Sequence, residues 1–359
     1  MSRENIISCI IAVIVSFLTT PLVKIIALKV GAIDVPKDER RIHKKPIARL
    51  GGLAIILAAM LTMIVNMLLP TFVNWNFKIG ENILGVLVGC FIIAIIGIID
   101  DIKPQKAKLK LIFQIIAAIC VVFVSDIRVQ AISNPFSSTG VLVLNYYVSC
   151  FITVCWIIGI TNAINLIDGL DGLAAGISAL SYLAMFFVSI ILNDVSTQIV
   201  TAVLAGSVIG FLPYNFNPAK IFMGDTGSTF LGFTLSVISV SGTLKSYAAI
   251  SILIPVLILG VPLFDTTFAI LRRICNGKSI MEADRGHIHH KLMDMGFSQK
   301  QVVLLMYLAS AILGVSAVLI TKINQLSILM TAVFGMVVIL AISKLIADVL
   351  KTRRWHNKK

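Results

Sequence analysis

The chain has 359 residues, a mean hydropathy of +0.99 and 13% charged residues, which excludes a soluble globular domain and points to repeated membrane crossings. A net charge of +13 would suit a nucleic-acid binder, but the 30 Lys and Arg flank apolar runs mainly on one side, so no nucleic-acid partner is expected. Cys9, Cys90, Cys120, Cys150, Cys155 and Cys275 are scattered, mostly inside apolar runs and without zinc-ligand spacing, and read as small core residues.

Apolar runs predict eleven spans, at about 5–28, 51–70, 82–99, 109–125, 141–160, 173–192, 197–213, 228–243, 247–270, 302–320 and 326–347. The expected fold is an all-α polytopic membrane helix bundle forming one integral-membrane domain over 1–359. The first span could pass for a signal peptide, but Lys24 and Lys29 follow its apolar run and no small-residue cleavage site appears, so it is expected to stay attached. An odd number of spans puts the termini on opposite sides. Basic residues crowd the first connection (Lys37, Arg40, Arg41, Lys44, Lys45, Arg49), the third (Lys103, Lys106, Lys108), the ninth (Arg272, Arg273, Lys278, Arg285, Lys291, Lys300) and the C-terminal tail. The other face has only Arg3, Lys78, Arg128, Lys245 and Lys322. The positive-inside rule therefore places the N-terminus outside and the C-terminus in the cytoplasm. Cytoplasmic loops are expected at about 30–50, 100–108, 161–172, 214–227 and 271–301, with a tail at 348–359.

Polar residues that interrupt the apolar pattern fall on that same face. Between Asn162 and Gly172 lie Asn165, Asp168 and Asp171, with no base among them. The three-residue spacing of Asp168 and Asp171 would put both on one face of a helical turn, while Gly169 and Gly172 allow close approach of a backbone or ligand. A site and a capped polar turn are the two readings of this stretch. Asp100 and Asp101 end the third span as adjacent carboxylates; they could face a cation or share a proton, or form an ordinary solvated helix end. The stretch Asn215 to Ser228 carries Phe222, Gly224 and Asp225 just before a span, where free amides could receive an anion and a lone aspartate suits Mg²⁺. Arg285, His287, His289, His290 and Lys291 suit a phosphate or acid–base chemistry better than zinc, since no cysteine lies near. Asp265, an acid inside the ninth span, is a site candidate by its placement.

Taken together, these residues resemble the polyprenyl-phosphate N-acetylhexosamine-1-phosphate transferases. That membrane family includes the initiators of enterobacterial antigen, teichoic acid and peptidoglycan lipid I. The resemblance spans nearly the whole chain, in the blocks His43 to Gly52, Asp100-Asp101, Asn165 to Ala174, Pro218 to Ser228 and His287 to Lys291. It implies transfer of a sugar 1-phosphate from a UDP-sugar to a polyprenyl phosphate, with release of UMP and a requirement for Mg²⁺ or Mn²⁺. It further implies Asn165 and Asp225 as metal ligands and Asp100 as the acid that deprotonates the lipid phosphate, supported by Asp101 and Lys110. Phe222 and Asp171 would meet the uridine, and Asn215 with Arg285, His287, His289 and His290 the sugar phosphate. Asp168 would be a base or a nucleophile. The expected setting is the bacterial cytoplasmic membrane with the site on its cytoplasmic face, and a homodimer is a candidate assembly.

The interrupted histidine run, with Ile288 between His287 and His289, is similar to the branch that uses UDP-N-acetylglucosamine rather than the peptide-bearing muramic nucleotide of lipid I synthesis. A CDP-alcohol phosphatidyltransferase would require Arg at Gly176 followed by two further spaced acids, and the sequence lacks them. A secondary transporter would place its acids near the bilayer midplane and show repeat symmetry.

Overall fold

The structure, a computed structural model, describes residues 3–35, 46–68, 83–133, 141–241, 253–277 and 286–322. Its long helices are α1 (Arg3–Val30), α2 (Gly52–Leu68), α3 (Leu84–Ile102), α4 (Ala107–Val124), α5 (Tyr146–Ile167), α6 (Leu173–Ile191), α7 (Val195–Asn215) and α8 (Gly224–Val240). They are followed by α9 (Leu253–Ile258), α10 (Gly260–Cys275), the short α11 (Ile288–Asp294) and α12 (Gln299–Lys322). Among the described residues, seven helices are long and apolar enough to cross a membrane. The protein is therefore a polytopic helical membrane protein. Two small antiparallel hairpins depart from the all-α expectation: β1 (Ile33–Asp34) pairs with β2 (Ile47–Ala48), and β3 (Ala131–Ser133) with β4 (Val141–Val143).

The predicted spans need four corrections. The fifth begins as strand β4, with the helix starting only at Tyr146, where the Asn145 side chain accepts from the Tyr147 N–H at 3.0 Å. That helix runs on to Ile167, so Asn165 sits on its last turn and not in a loop. Asp100 and Asp101 likewise belong to the last turn of α3. The ninth span is broken between α9 and α10, because Pro262 can donate no N–H to the carbonyl of Ile258. The predicted span 326–347 and the tail 348–359 lie outside the described residues.

Helix α8 is buried along its whole length, surrounded by α2, α3, α5 and α6. Its N-terminus fits between two glycines. A Cβ on Gly52 would collide with the backbone of Gly227, and one on Gly97 with that of Thr226. Helix α1 shows the inverted amphipathicity of a lipid-facing helix. Asn5, Ser8, Ala12, Ser16 and Thr20 are buried, while Ile10, Ile14, Leu18 and Leu22 face outward. Two buried polar groups pair across the bundle, where hydrocarbon offers no alternative: the Tyr182 hydroxyl lies 2.6 Å from Thr234 Oγ1, and Trp156 Nε1 donates to Ser239 Oγ at 2.9 Å.

Candidate active site

The C-terminal ends of α1, α5 and α7 and the N-terminal ends of α8 and α12 line a cavity of about 910 Å³ at one end of the bundle, where the end of α3 and the start of α4 also arrive. Its size suits a nucleotide-sized ligand. One wall is built by main-chain pairing. The N–H of Phe222 donates to the carbonyl of Ala48 at 2.8 Å, and the N–H groups of Gly51 and Gly52 donate to the carbonyls of Phe222 and Met223 at 2.9 and 2.8 Å. This clamp carries Arg49 to the acids at the ends of α3 and α8.

There, Asp100, Asp101 and Asp225 bring carboxylate oxygens within 4.8 Å of one another. Two cations offset the crowding. Arg49 Nη2 lies 2.6 Å from Asp225 Oδ1 and 3.9 Å from Asp100 Oδ2, and its Nε lies 3.1 Å from Asp101 Oδ1. Lys110 Nζ lies 2.6 Å from Asp225 Oδ2 and 3.3 Å from Asp100 Oδ2. The surrounding carboxylates, Asp101 foremost, hold the Arg49 guanidinium charged despite its burial. Read from the sequence, Arg49 is an inside-face charge and part of the block His43 to Gly52, with no role in the site assigned to it. Its place three residues before Gly52 was the available signal.

The three acids differ in what they do. Asp101 caps α8: its Oδ1 accepts from the Asp225 N–H at 2.8 Å, and its Oδ2 from the Thr226 N–H at 3.0 Å and hydroxyl at 2.6 Å. The amides expected to receive a ligand anion thus receive this carboxylate. Asp100 Oδ1 accepts from the Gln105 N–H at 2.8 Å, leaving Oδ2 directed to Lys110. Asp225 faces the cavity, with Asn165 Nδ2 at 3.1 Å from its Oδ2. Asp225, Asp100 and the Asn165 amide form an oxygen-rich donor set that fits a hard divalent cation such as Mg²⁺.

Asp168 and Asp171 do not share a helical face. Helix α5 ends at Ile167, Asp168 is its C-terminal cap, and the chain turns through Gly172 at φ +80°. Asp168 lines the cavity, and loss of hydration together with the charge of Asp225 raises its pKa well above the ordinary carboxylate range. Asp171 Oδ2 accepts from Asn217 Nδ2 and the Ala219 N–H, both at 3.0 Å. It thereby holds the 217–219 turn at the cavity rim. Asn215 braces the same turn from below, donating from Nδ2 to the carbonyl of Ile221 at 3.0 Å. Phe222 lines the cavity beside it.

The histidine segment closes another side. His290 lines the cavity, whereas His287 and His289 are buried behind it. His289 is 1% exposed, and burial with its histidine neighbours lowers its pKa to about 4. Arg285 lies outside the described residues. Gly176, where the phosphatidyltransferase pattern needs Arg, is covered by Tyr307: a Cβ there would stand 1.9 Å from the tyrosine Cζ, so any side chain at this position would have to displace the ring.

A model of glycosyl transferase family 4 matches residues 83–243. The chain is 42% identical over 322 residues to a probable undecaprenyl-phosphate N-acetylglucosaminyl 1-phosphate transferase of Bacillus subtilis, covering 89% of this chain and 86% of that one. The chain belongs to this family. Another member, the decaprenyl-phosphate N-acetylglucosaminephosphotransferase of Mycobacterium leprae, is 35% identical over 88% of this chain and 83% of its own. The undecaprenyl-phosphate alpha-N-acetylglucosaminyl 1-phosphate transferase of Escherichia coli K12 is 29% identical over 82% and 78%. The family 4 match contains Asp100, Asp101, Lys110, Asn165, Asp168, Asp171, Asn215, Phe222 and Asp225, but not Arg49 or the histidines.

Proposed function

We propose that this transferase moves N-acetylglucosamine 1-phosphate from UDP-N-acetylglucosamine to undecaprenyl or another polyprenyl phosphate, releasing UMP and initiating a cell-envelope polysaccharide. The observation that carries the reading is the cluster of Asp100, Asp225, Arg49 and Lys110, of which Arg49 and Asp225 line a cavity at one end of a membrane bundle. Two anionic substrates must approach each other here, and fixed cations lower the cost of that approach.

In this reading Asp100 takes the proton of the lipid phosphate. An oxygen of that phosphate then attacks the β-phosphorus of the nucleotide, and the bond to the UMP oxygen breaks. Lys110 and Arg49 offset the charge on the two phosphates, while Asp101 holds α8 and with it Asp225 in place. Asp225 and Asn165 would hold Mg²⁺, or Mn²⁺, which supplies charge neutralisation at the diphosphate when bound. Phe222 and Asp171 are assigned to the uridine side. Asn215 and the segment Arg285 to His290 are assigned to the sugar phosphate. Asp168, with its raised pKa at the cavity wall, suits a proton-transfer role.

The protein is read as one domain of about eleven spans with its N-terminus outside, so that the cavity opens to the cytoplasm of a bacterial cell; the distribution of basic residues supports this. A cysteine placed at Lys291 should be labelled by an impermeant reagent only from the cytoplasmic side. The function is tested by UMP release from purified protein. UDP-N-acetylglucosamine should support it only with polyprenyl phosphate present, and UDP-N-acetylmuramoyl-pentapeptide should not. Efficient use of the peptide-bearing nucleotide would move the chain to the lipid I branch.

A further inference from the structure

Asp265 is 2% exposed on α10, and the scheme above gives it no task. Both of its oxygens are committed to the histidine segment. Oδ1 accepts from the Ile288 N–H at 2.8 Å, and Oδ2 lies 2.9 Å from His287 Nδ1. A membrane-helix carboxylate thus ties down the start of α11 through main chain and side chain at once. Arg272, two turns along α10, packs against Gly286, where a Cβ would collide with its guanidinium. The entry to α11 is therefore fixed on α10 at consecutive residues.

A carboxylate can only accept, so it keeps a proton on His287 Nδ1 and leaves the lone pair of the neutral ring on Nε2. The His287 ring lies 11° from parallel to that of His289, with centroids 5.7 Å apart. His289 is 4.3 Å from the ring of His290, which reaches the cavity. His289 cannot give way on its far side, because it packs against Gly169 in the Asp168 turn: a Cβ there would stand 2.8 Å from His289 Nε2. Three rings thus follow one another between Asp265 and the cavity, the first pair parallel and the second tilted by 45°.

We propose that Asp265 is a positioning residue that sets the tautomer and orientation of His287 and, through the adjoining rings of His287 and His289, the aim of His290 at the sugar phosphate. This rests on the reading that the histidine segment meets that phosphate. Asp265→Asn separates positioning from capping. The asparagine oxygen can still accept from the Ile288 N–H, but its amide would donate to His287 and move the ring proton to Nε2.

The experiment uses the full-length protein in lipid nanodiscs. Nitrogen-15 ring shifts of labelled histidines, assigned with His287→Gln, report the tautomer without reference to activity. Steady-state assays then give kcat and KM for each substrate. In wild type, His287 should carry its proton on Nδ1; a proton on Nε2 alone overturns the proposal even if UMP release from UDP-N-acetylglucosamine is absent and the functional reading fails. Asp265→Asn should invert the tautomer, lower kcat at least tenfold, and leave KM for polyprenyl phosphate within twofold of wild type. Adding it to His287→Gln should cost nothing further. Additive losses in that double variant, or wild-type kinetics in Asp265→Asn with the tautomer inverted, would overturn it.

Discussion

Asp101 and Thr226, 125 residues apart in sequence, are joined twice: the main-chain N–H and the hydroxyl of Thr226 both donate to Asp101 Oδ2, at 3.0 and 2.6 Å. The neighbouring Asp100 accepts instead from the Gln105 N–H at 2.8 Å and faces Lys110. Adjacent acids in one motif thus divide into a structural anchor and a group available for chemistry.

Asp101→Ala should therefore destabilise the protein by roughly 1.5–3 kcal/mol, the usual worth of hydrogen bonds to a charged group, because it strands buried donors of α8. Asp100→Ala should cost about 1 kcal/mol or less and still abolish most turnover. Thermal unfolding in detergent, read beside UMP release, checks the division. Equal loss of stability in the two variants would contradict it.

Asp225→Asn should remove most activity while the protein stays folded, since Arg49 and Lys110 retain Asp100 and Asp101 as partners. Wild-type protein in excess chelator should also be inactive, and Mg²⁺ should restore it. Full turnover without any divalent ion would contradict the assignment of Asp225 and Asn165.

Tyr307 reaches from α12 across Gly176 and donates its hydroxyl to the carbonyl of Gly172 at 2.5 Å. Gly176→Ala should displace the ring and cost about 1–3 kcal/mol. Adding Tyr307→Phe to that variant should cost much less than it does in wild type, because the hydrogen bond is already broken. A double-mutant cycle on thermal stability measures this coupling.

His289 has an ordinary pKa of 6.5 that burial lowers to about 4 in the folded protein. The unfolded chain binds the extra proton first, so the neutral ring's contribution is fully present above pH 6.5 and is lost as pH falls towards 4. The loss is up to roughly 3 kcal/mol. His289→Phe should flatten that part of the stability–pH curve relative to wild type, and parallel curves would contradict it.

Most site residues were legible because each put a charge or amide into an apolar pattern: Asp100, Asn165, Asp168 and Asp225 could be picked out with no knowledge of their neighbours. What could not be read were pairings between distant segments. Arg49 looked like one of several charges in a basic connection until residues 48–52 were seen beside 222–223. Asp265 stood out as a buried acid, but its partners lie more than twenty residues away on another element. Spacing misled at Asp168 and Asp171, since the three-residue interval counts only while a helix continues, and α5 stops at Ile167. The end of a helix buried in a bundle is set by what it meets there, which local sequence does not record.

The central claim is that the β-phosphorus of the nucleotide travels with the sugar. The most direct measurement supplies purified protein with polyprenyl phosphate, Mg²⁺ and UDP-N-acetylglucosamine labelled with phosphorus-32 at the β position. The label should appear in the lipid phase in equal amount to the UMP released, as polyprenyl diphospho-N-acetylglucosamine. Label left in the aqueous phase as UDP while the sugar enters the lipid would show glycosyl transfer without the phosphate, and would contradict the account.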